Sequence, residues 1–313
     1  MADDPSIEAP DTDTPVEEAA PAFIDLYAGN ELSSEDAAVV TLRSPAHLVV
    51  FAGAAESGKT TVLASVYERL NEGSFAGFQF AGSRSLLGFE QICYWNRVAS
   101  GGTRPDTPRT VPSDEAAYYH LALRGAEPGA QRRHILLSAI SGELFRLAKN
   151  SREDCERLTF LHRANTIVVL VDGARLAVTA QRTNAQSDAS SILESFLDGN
   201  MLGSRCRVEF VFSKLDRVVE AGEAAVDFLN TTETKLRTKF GDRVPYLAFR
   251  RIAARPEVEP SRAPLNDGLA EAFTAWTTPI LPVGAGTAPQ DAPPSDAREF
   301  AKYGWRYSAR RES

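Results

Sequence analysis

From about residue 43 to residue 282, the chain alternates between short apolar runs and longer runs with a helical hydrophobic period. Several of the apolar runs, such as residues 47–51 and 166–171, are hydrophobic without polar alternation. Continuous apolar strands are typical of parallel sheets that are covered on both faces. The pattern predicts six strands, at residues 46–52, 118–123, 134–140, 166–171, 207–212 and 244–249.

Helical patterns follow most of these strands. They predict helices at residues 59–71, 141–149, 188–197, 221–240 and 268–276. Strands that alternate with helices imply right-handed crossovers and a doubly wound α/β fold. We therefore expect a mostly parallel six-stranded sheet with helices on both faces, spanning residues 43–282.

Charge and composition separate two flanking segments from this domain. Of the 313 residues, the first 40 contain eleven Asp or Glu and no Lys or Arg, although the whole chain has a net charge of −8. Such a segment buries little apolar surface, so residues 1–42 are predicted to be largely disordered. Residues 283–313 form a Gly/Ala/Pro-rich linker and an aromatic, basic tail. Both flanks are candidate contacts for protein partners.

The remaining totals narrow the class of protein. Without the acidic segment the chain is close to neutral, so it lacks the concentrated basic face that duplex DNA requires, and a nucleic-acid partner is not indicated. The three cysteines, Cys93, Cys155 and Cys206, are scattered, which argues against a zinc site. No secretory signal and no run of 18 apolar residues is present. These features predict a cytoplasmic protein without a membrane span.

A phosphate-binding loop follows the first predicted strand and reads GxxxxGK(S/T). Glycines allow backbone N–H groups to approach phosphate closely, and these amides form an anion nest with the next helix. The lysine adds positive charge, and the final hydroxyl is placed to ligate Mg²⁺. The predicted nucleotide-binding residues are Gly53, Ala54, Ala55, Glu56, Ser57, Gly58, Lys59, Thr60 and the adjacent Thr61.

A second motif follows the fifth predicted strand, where the chain reads Ser213-Lys214-Leu215-Asp216. In this order, the two motifs resemble the Ras-like translation-factor superfamily of P-loop GTPases, which has (N/T)KxD at this place. The resemblance implies that Asp216 accepts hydrogen bonds from guanine N1–H and N2–H₂ and that Lys214 stacks on the base. Ser213 replaces Asn or Thr but keeps a hydroxyl. Ala253 and Ala254 stand where the family places a loop that contacts the base through backbone amides.

The same resemblance places a DxxG switch at the end of the third predicted strand. Gly142 matches the glycine, whose amide bonds the γ-phosphate, and Glu143 takes the place of a water-positioning Gln. Ala139, however, stands where the Mg²⁺-orienting Asp is expected, which implies weakened Mg²⁺ binding or hydrolysis. Lys59, Gly142 and Glu143 are the catalytic candidates.

About 45 residues, 74–117, separate the first predicted helix from the second predicted strand. Loops of this length in compact domains tend to be functional, and the resemblance makes this one the first switch. A threonine of this loop, Thr107 or Thr110, is expected to join Thr60 as a Mg²⁺ ligand.

Taken together, the segments GAAESGKTT, LLSAISGE, VDG and SKLD are similar to the bacterial double-GTPase group, which is associated with conflict or defence systems and with GTPase-like partners. The resemblance implies a slow regulatory GTPase that uses GTP or GDP and Mg²⁺. Two alternatives stay open. Residues 167–172 also fit the pattern of an ATPase strand that ends in a Mg²⁺-binding Asp172, which would suit an ATPase or kinase. Ala139 would suit a scaffold that binds nucleotide without hydrolysis.

Overall fold

The computed structural model of the chain describes residues 29–94, 116–125, 127, 129–138, 158–255 and 268–280. Its centre is a seven-stranded sheet. The strands are β1 (Ala46–Ala52), β2 (Phe78–Gly82), β3 (Tyr118–Gly125), β4 (Arg132–Ser138), β5 (Thr166–Asp172), β6 (Arg207–Ser213) and β7 (Leu247–Arg251).

Helices connect most of these strands. In the described ranges they are α1 (Ser34–Arg43), α2 (Lys59–Glu72), α3 (Leu86–Tyr94), α4 (Gly173–Ala177), α5 (Arg182–Asp198), α6 (Leu215–Glu220), α7 (Glu223–Phe240) and α8 (Leu269–Thr277), with short 3-10 helices at Thr159–Arg163 and Thr179–Gln181. None of the helices in this part of the chain is long and apolar enough to cross a bilayer.

The strand order is β2-β3-β4-β1-β5-β6-β7. The pairs from β4 to β7 are parallel, whereas β3 pairs antiparallel with both β2 and β4. The predicted doubly wound, mostly parallel α/β fold is therefore confirmed. Because β1 lies between β4 and β5, the loop that follows it emerges near the middle of the sheet.

The predicted strand number of six is wrong by one. The additional strand, β2, forms the edge beside β3 and lies within the region that the sequence analysis assigned to the long 74–117 loop. It is five residues long, is only partly buried and has a register shift between Phe80 and Gly82. A short, half-buried edge strand gives little hydrophobic signal, so its pairing with β3 is decided by tertiary contacts.

Two hydrophobic cores lie on opposite faces of the sheet. Residues of α1, α5 and α7 pack on one face, and residues of α2, α3 and α8 pack on the other. All seven residues of β5 are buried, with Val169 and Val171 in the first core and Val168 and Leu170 in the second. The uniformly apolar runs of the sequence thus follow from burial of both sheet faces.

Helix α1 lies within the segment that the sequence analysis set apart from the domain, yet it packs on the sheet. Ser33 caps it, since its hydroxyl accepts from the Asp36 amide and the Asp36 side chain returns to the Ser33 amide. Just before the cap, Leu32 exchanges backbone hydrogen bonds of 2.8 and 2.9 Å with Tyr118. The capping box stabilises the first turn of the helix, and the Leu32–Tyr118 backbone pair attaches the preceding residue to β3. Residues 1–28 lie outside the described part.

Helix boundaries agree with the hydrophobic pattern to within a few residues at α2, α7 and α8. Helix α5 begins at Arg182, six residues before the predicted start at 188, because its polar first turns carry no apolar period. The predicted helix at 141–149 lies outside the described residues.

A histidine pair lies on β3 and β4. The buried His120 ring accepts the Arg84 amide at Nδ1, 3.0 Å away, and its Nε2 lies 2.9 Å from Nδ1 of His134. Since Nδ1 is an acceptor, the neutral His120 ring carries its proton on Nε2 and donates it to His134. Burial, together with the neighbouring His134 and Arg84, lowers the pKa of His120 to about 4.

This shift predicts a loss of stability in mild acid. A histidine with a lowered pKa in the folded state stabilises the protein fully above its unfolded pKa of 6.5, and this stabilisation is lost as the pH falls through the folded value of about 4. The unmutated protein should lose unfolding free energy between pH 7 and pH 5. His120→Gln should lose about 2 kcal/mol less over the same interval. Urea unfolding at the two pH values measures this difference.

The exposed His162 provides the matched control, since its side chain lies at the surface of the fold. His162→Gln should leave the pH dependence unchanged. A His120→Gln protein that loses as much stability between pH 7 and pH 5 as the unmutated protein would contradict the prediction, whatever its stability at pH 7.

Candidate functional site

The candidate site lies at the carboxyl ends of β1, β5 and β6. In parallel sheets these ends share one edge, and ligands of open α/β sheets bind there. Three loops leave this edge: the phosphate-binding loop after β1, the Asp172–Gly173 turn after β5 and the segment from Ser213 to Asp216 after β6.

The phosphate-binding loop leads directly into α2. Gly58, the N-cap, has a φ of 96°, a conformation that glycine adopts without steric cost. The first i to i−4 hydrogen bond of the helix runs from the Val62 amide to the Gly58 carbonyl and is 2.9 Å long. Residues 59–61 therefore form the first turn, whose amides precede this bond. This turn has no acidic residue and no side-chain cap, unlike that of α1. Its positive dipole end is suited to an anion.

The Lys59 ammonium lies over this loop. Its Nζ donates to the carbonyls of Gly53 and Ala54, both at 2.9 Å. The loop backbone thus holds the positive charge beside the first turn of α2. The predicted phosphate-binding residues, Gly53 to Thr61, therefore lie in one continuous segment against which the Lys59 ammonium is held.

Ser213 connects the end of β6 to the phosphate-binding loop. Its buried Oγ donates toward the carbonyl of Ser57 at 2.8 Å and lies 3.3 Å from that of Val171. The hydroxyl that replaces the family's Asn or Thr is therefore used to hold two loops together. Ser213 thus holds the phosphate-binding loop and the end of β5 against the end of β6.

Lys214 adopts a left-handed conformation with φ 50° and ψ 45°. Its Nζ donates to the Glu56 carbonyl at 2.8 Å and forms an ion pair with Asp172, with Nζ–Oδ1 at 3.1 Å. The side chain consequently spans from β6 to the phosphate-binding loop.

Asp216 is the second residue of α6, two positions after Lys214, and its side chain is buried. The loop after β7 runs beside it, because Leu215 N donates to Ile252 O at 3.0 Å and Ile252 N donates to Phe212 O at 2.9 Å. Ala253 and Ala254, which follow, are buried. The structure therefore brings together the Ser213–Asp216 segment and the Ala253–Ala254 loop.

Gly173 opens α4 at a point where no side chain fits. A Cβ atom there would lie 2.1 Å from the Ser213 carbonyl oxygen and 2.9 Å from that of Lys214. The backbone of the turn after β5 thus lies directly against the backbone of the Ser213–Asp216 segment. The VDG run in the sequence does not reveal this requirement.

Asp172 has a different environment from the one that the ATPase alternative requires. Its carboxylate accepts from the Ala174 amide at 3.0 Å, which caps α4, and it pairs with Lys214. Strands β5 and β6 are in register from Thr166↔Arg207 to Asp172↔Ser213. The two strands have equal lengths, and a motif follows each of them. This pattern in the sequence could have predicted that Asp172 lies beside Lys214.

A further contact that sequence reasoning missed joins the loop after β7 to α2. The guanidinium of Arg255 forms an ion pair with Glu68 of α2. Since α2 carries the phosphate-binding turn at its N-terminus, this pair fixes the Ala253–Ala254 loop relative to that turn. The two residues are separated by 187 positions in the chain, and no local pattern marks them as partners.

The predicted switch residues Thr107, Thr110, Gly142 and Glu143, together with Ala139, lie outside the described residues, as does the tail at 281–313. Among the described residues, strand β4 ends at the buried Ser138, whose Oγ accepts from the Phe51 amide at 2.9 Å. The carboxyl end of β4 therefore lies beside β1.

A divalent cation at this site would depend on oxygen ligands. The described ranges contain no cluster of three or more His, Cys, Asp or Glu residues that could hold a metal. Mg²⁺ typically needs one or two protein oxygens, with waters and phosphate oxygens completing its shell. Thr60, in the first turn of α2 behind Lys59, is a hydroxyl of this kind, so the residues present fit Mg²⁺ bound together with a phosphate.

Comparison with known proteins identifies the family. Residues 47–277, from β1 to the end of α8, match the Double-GTPase 2 family. No curated protein matches the chain.

Similar solved structures share 14% sequence identity with the chain. They include the bacterial selenocysteine-specific elongation factor EF-Sec (TM-score 0.31, 66% of this chain and 25% of that one) and the signal recognition particle receptor SRb-GTP/SRX complex from Chaetomium thermophilum (0.38, 70% and 95%). A third is Methanosarcina barkeri Roco2 RocCORdC bound to GDP (0.36, 79% and 49%). The chain spans only a quarter of the elongation factor and about half of the Roco protein. Because the family match covers the sheet from β1 onward together with the phosphate-binding loop, the chain belongs to the Double-GTPase 2 family of P-loop GTPases.

Proposed function

We propose that this protein is a guanine-nucleotide-dependent switch that hydrolyses GTP slowly and signals to a protein partner. The observation that carries the proposal is the attachment of the Ser213–Asp216 segment to the phosphate-binding loop. Ser213 Oγ and Lys214 Nζ each lie 2.8 Å from a carbonyl of that loop. A base held by the segment and phosphates held by the loop would thus be bound at a fixed separation.

Each part of the site has a distinct role in this proposal. The first turn of α2 and the Lys59 ammonium bind the phosphates, because amides, a positive helix terminus and a cation all favour negative charge. Asp216 accepts hydrogen bonds from N1–H and N2–H₂ of guanine, a donor pair that adenine lacks. The stem of Lys214 stacks on the base, and the amides near Ala253 and Ala254 bind its opposite edge.

Mg²⁺ is the expected metal. When bound, it would neutralise charge on the β- and γ-phosphates, and the Thr60 hydroxyl would be one of its ligands. Thr107 or Thr110 is proposed as the second protein ligand. Gly142 would donate its amide to the γ-phosphate, so that GTP orders both switch segments and GDP releases them.

Slow hydrolysis follows from Ala139 and Glu143. Alanine has no oxygen with which to orient a metal-bound water, and a carboxylate at position 143 would repel the γ-phosphate instead of positioning a water as Gln does. We therefore propose that a partner, such as another GTPase-like protein, accelerates turnover or reads the bound nucleotide. The acidic residues 1–42 and the aromatic tail are the proposed contacts, and the cytoplasm is the proposed location.

The test is calorimetric titration with GDP, GTP and ATP in the presence of Mg²⁺. We expect guanine nucleotides to bind and ATP to fail. Lys59→Ala should weaken GDP binding by about tenfold to a hundredfold, because charge-assisted hydrogen bonds to phosphate are removed. Lys235→Ala, which changes an exposed lysine of α7, is the matched control and should bind GDP normally.

Two results would contradict the proposal. Equal binding of ATP and GDP would favour the ATPase or kinase alternative. Unchanged GDP affinity in Lys59→Ala would remove the phosphate-binding assignment.

One observation favours a second candidate. Because Ala139 replaces the expected Asp, the protein would also suit a scaffold that binds GTP without hydrolysing it. Phosphate release from bound GTP, measured over hours with purified protein, separates the two candidates: release above the rate in buffer supports the slow GTPase.

A further inference from the structure

Lys214 and Asp172 form an ion pair between the end of β5 and the Ser213–Asp216 segment. The carboxylate is 5% exposed and the lysine side chain 34% exposed, and Nζ lies 3.1 Å from Oδ1 and 3.3 Å from Oδ2. The same ammonium donates to Glu56 O at 2.8 Å. One long side chain is thus held at its tip by two fixed acceptors on two different loops.

We propose that Asp172 is a positioning residue for guanine binding, which acts by holding the Lys214 side chain extended along the base site. This inference rests on the proposed function, since it assigns to Asp172 a role at the same site. Asp172 touches neither the base nor the phosphates in this scheme. Its effect on the nucleotide is exerted through Lys214.

The physical argument begins with the entropy of a lysine side chain. A free Lys side chain has four rotatable bonds, and immobilising it is among the largest side-chain entropy costs. Here folding already immobilises the Lys214 side chain, because its ammonium binds the Asp172 carboxylate and the Glu56 carbonyl. A base that then lies on the stem gains apolar contact without ordering the side chain, which is preorganisation of the site.

Burial makes the carboxylate a stronger anchor than a surface acid would be. Asp172 has a rigid position at the end of β5, because its neighbour Gly173 lies against the Ser213 carbonyl and its other contact is the Ala174 amide. Charge pairs that are shielded from water interact more strongly than exposed pairs. A base that covers Lys214 would shield the pair further, so ion pairing and base binding should reinforce each other.

The choice of variant must separate this role from helix capping, since Asp172 also caps α4. Asp172→Asn keeps an oxygen for the Ala174 amide, and Asn is as good an N-cap as Asp, but it removes the charge that holds Lys214. Lys214→Met keeps an apolar stem of similar length and removes the ammonium. The two variants and their combination form a double-mutant cycle in which GDP affinity is the measured quantity.

We expect Asp172→Asn to weaken GDP binding about tenfold in the otherwise unmutated protein. In the Lys214→Met background, the same substitution should change GDP affinity by less than about twofold, because no ammonium is left to be held. Asp188→Asn is the control, since it breaks another half-buried ion pair, with Arg175 at 2.8 Å, that does not involve Lys214. It should leave GDP affinity unchanged.

The outcomes distinguish this inference from the proposed function. An effect of Asp172→Asn that is equally large in both backgrounds would reduce Asp172 to a capping residue and overturn the inference while guanine binding stands. No effect in either background would overturn it as well. If the unmutated protein binds no GDP at all, the proposed function fails, and the role of Asp172 fails with it.

Discussion

Asp216→Ala is expected to abolish guanine-nucleotide binding at concentrations where the unmutated protein is saturated. The proposed contacts are two hydrogen bonds from the guanine edge to one carboxylate, and each bond to a charged group contributes about 1.5–3 kcal/mol. Loss of both should lower GDP affinity by roughly 100-fold or more. Calorimetric titration of the two proteins with GDP and Mg²⁺ measures this change.

A second substitution excludes misfolding as the cause. Asp216→Asn retains an oxygen acceptor for N1–H but places an amide donor opposite the C2 substituent. This donor fits the carbonyl of xanthine and clashes with the amino group of guanine. We therefore expect the preference to move from GDP to XDP, a gain that a damaged site does not produce. The exposed Asp227→Ala on α7 is the charge-matched control. Undiminished GDP binding by Asp216→Ala would remove the guanine assignment.

Gly173→Ala is expected to destabilise the fold and to disturb base recognition together. The added Cβ would lie 2.1 Å from the Ser213 carbonyl oxygen, and the clashing atom belongs to the backbone at the end of β6. One of two packed backbone segments must therefore shift. We expect the free energy of unfolding to fall by about 3 kcal/mol, since overpacking usually costs 1–3 kcal/mol and the two nearest atoms here are backbone oxygens. Urea unfolding measures the loss.

The nucleotide-binding consequence of Gly173→Ala is separate from stability. Displacing the backbone at Ser213 and Lys214 moves both anchors of the base segment, so GDP affinity should fall even at temperatures where the protein is fully folded. Gly203→Ala is the control, because a Cβ there would lie 3.4 Å from its nearest neighbour, the carbonyl oxygen of His162. A Gly173→Ala protein within about 0.5 kcal/mol of the unmutated stability would contradict the packing argument.

Helix α2 and its phosphate-binding turn show what local sequence can predict. The GxxxxGK(S/T) pattern, the preceding apolar run and the helical period all lie within about 25 consecutive residues, and each is a property of neighbours in the chain. The predicted helix at 59–71 and the observed Lys59–Glu72 differ by one residue. The positions of the motifs in the chain were likewise predictable, because each motif directly follows an apolar run.

Ser213 shows the opposite case. Its identity suggested a substitute for a family Asn or Thr, but its two hydrogen-bond partners were not predictable. One of them, Ser57, is 156 residues away. The distance from Lys214 to its acceptor Glu56 is 158 residues. Contacts of this kind depend on strand register and loop geometry, which single-residue patterns do not encode.

The edge strand β2 and helix α1 fall between these cases. Both have weak hydrophobic patterns, since each buries only part of its surface, and both were assigned to loop or disordered segments. The Ser33–Asp36 capping box was a local signal for α1. For β2, the deciding interaction is its ladder with β3, about 40 residues later in the chain.

The sequence by itself therefore determined the α/β class, the phosphate-binding loop and the strands that surround it, because these are written in contiguous residues as apolar runs, a helical period and a local motif. Only the tertiary structure decided which atoms of these segments meet. It placed Ser213 against the phosphate-binding loop, Asp172 beside Lys214, and the backbone of Gly173 against that of Ser213. Those contacts arise where the parallel strands β1, β5 and β6 end at one edge, and this alignment exists only once the sheet has formed.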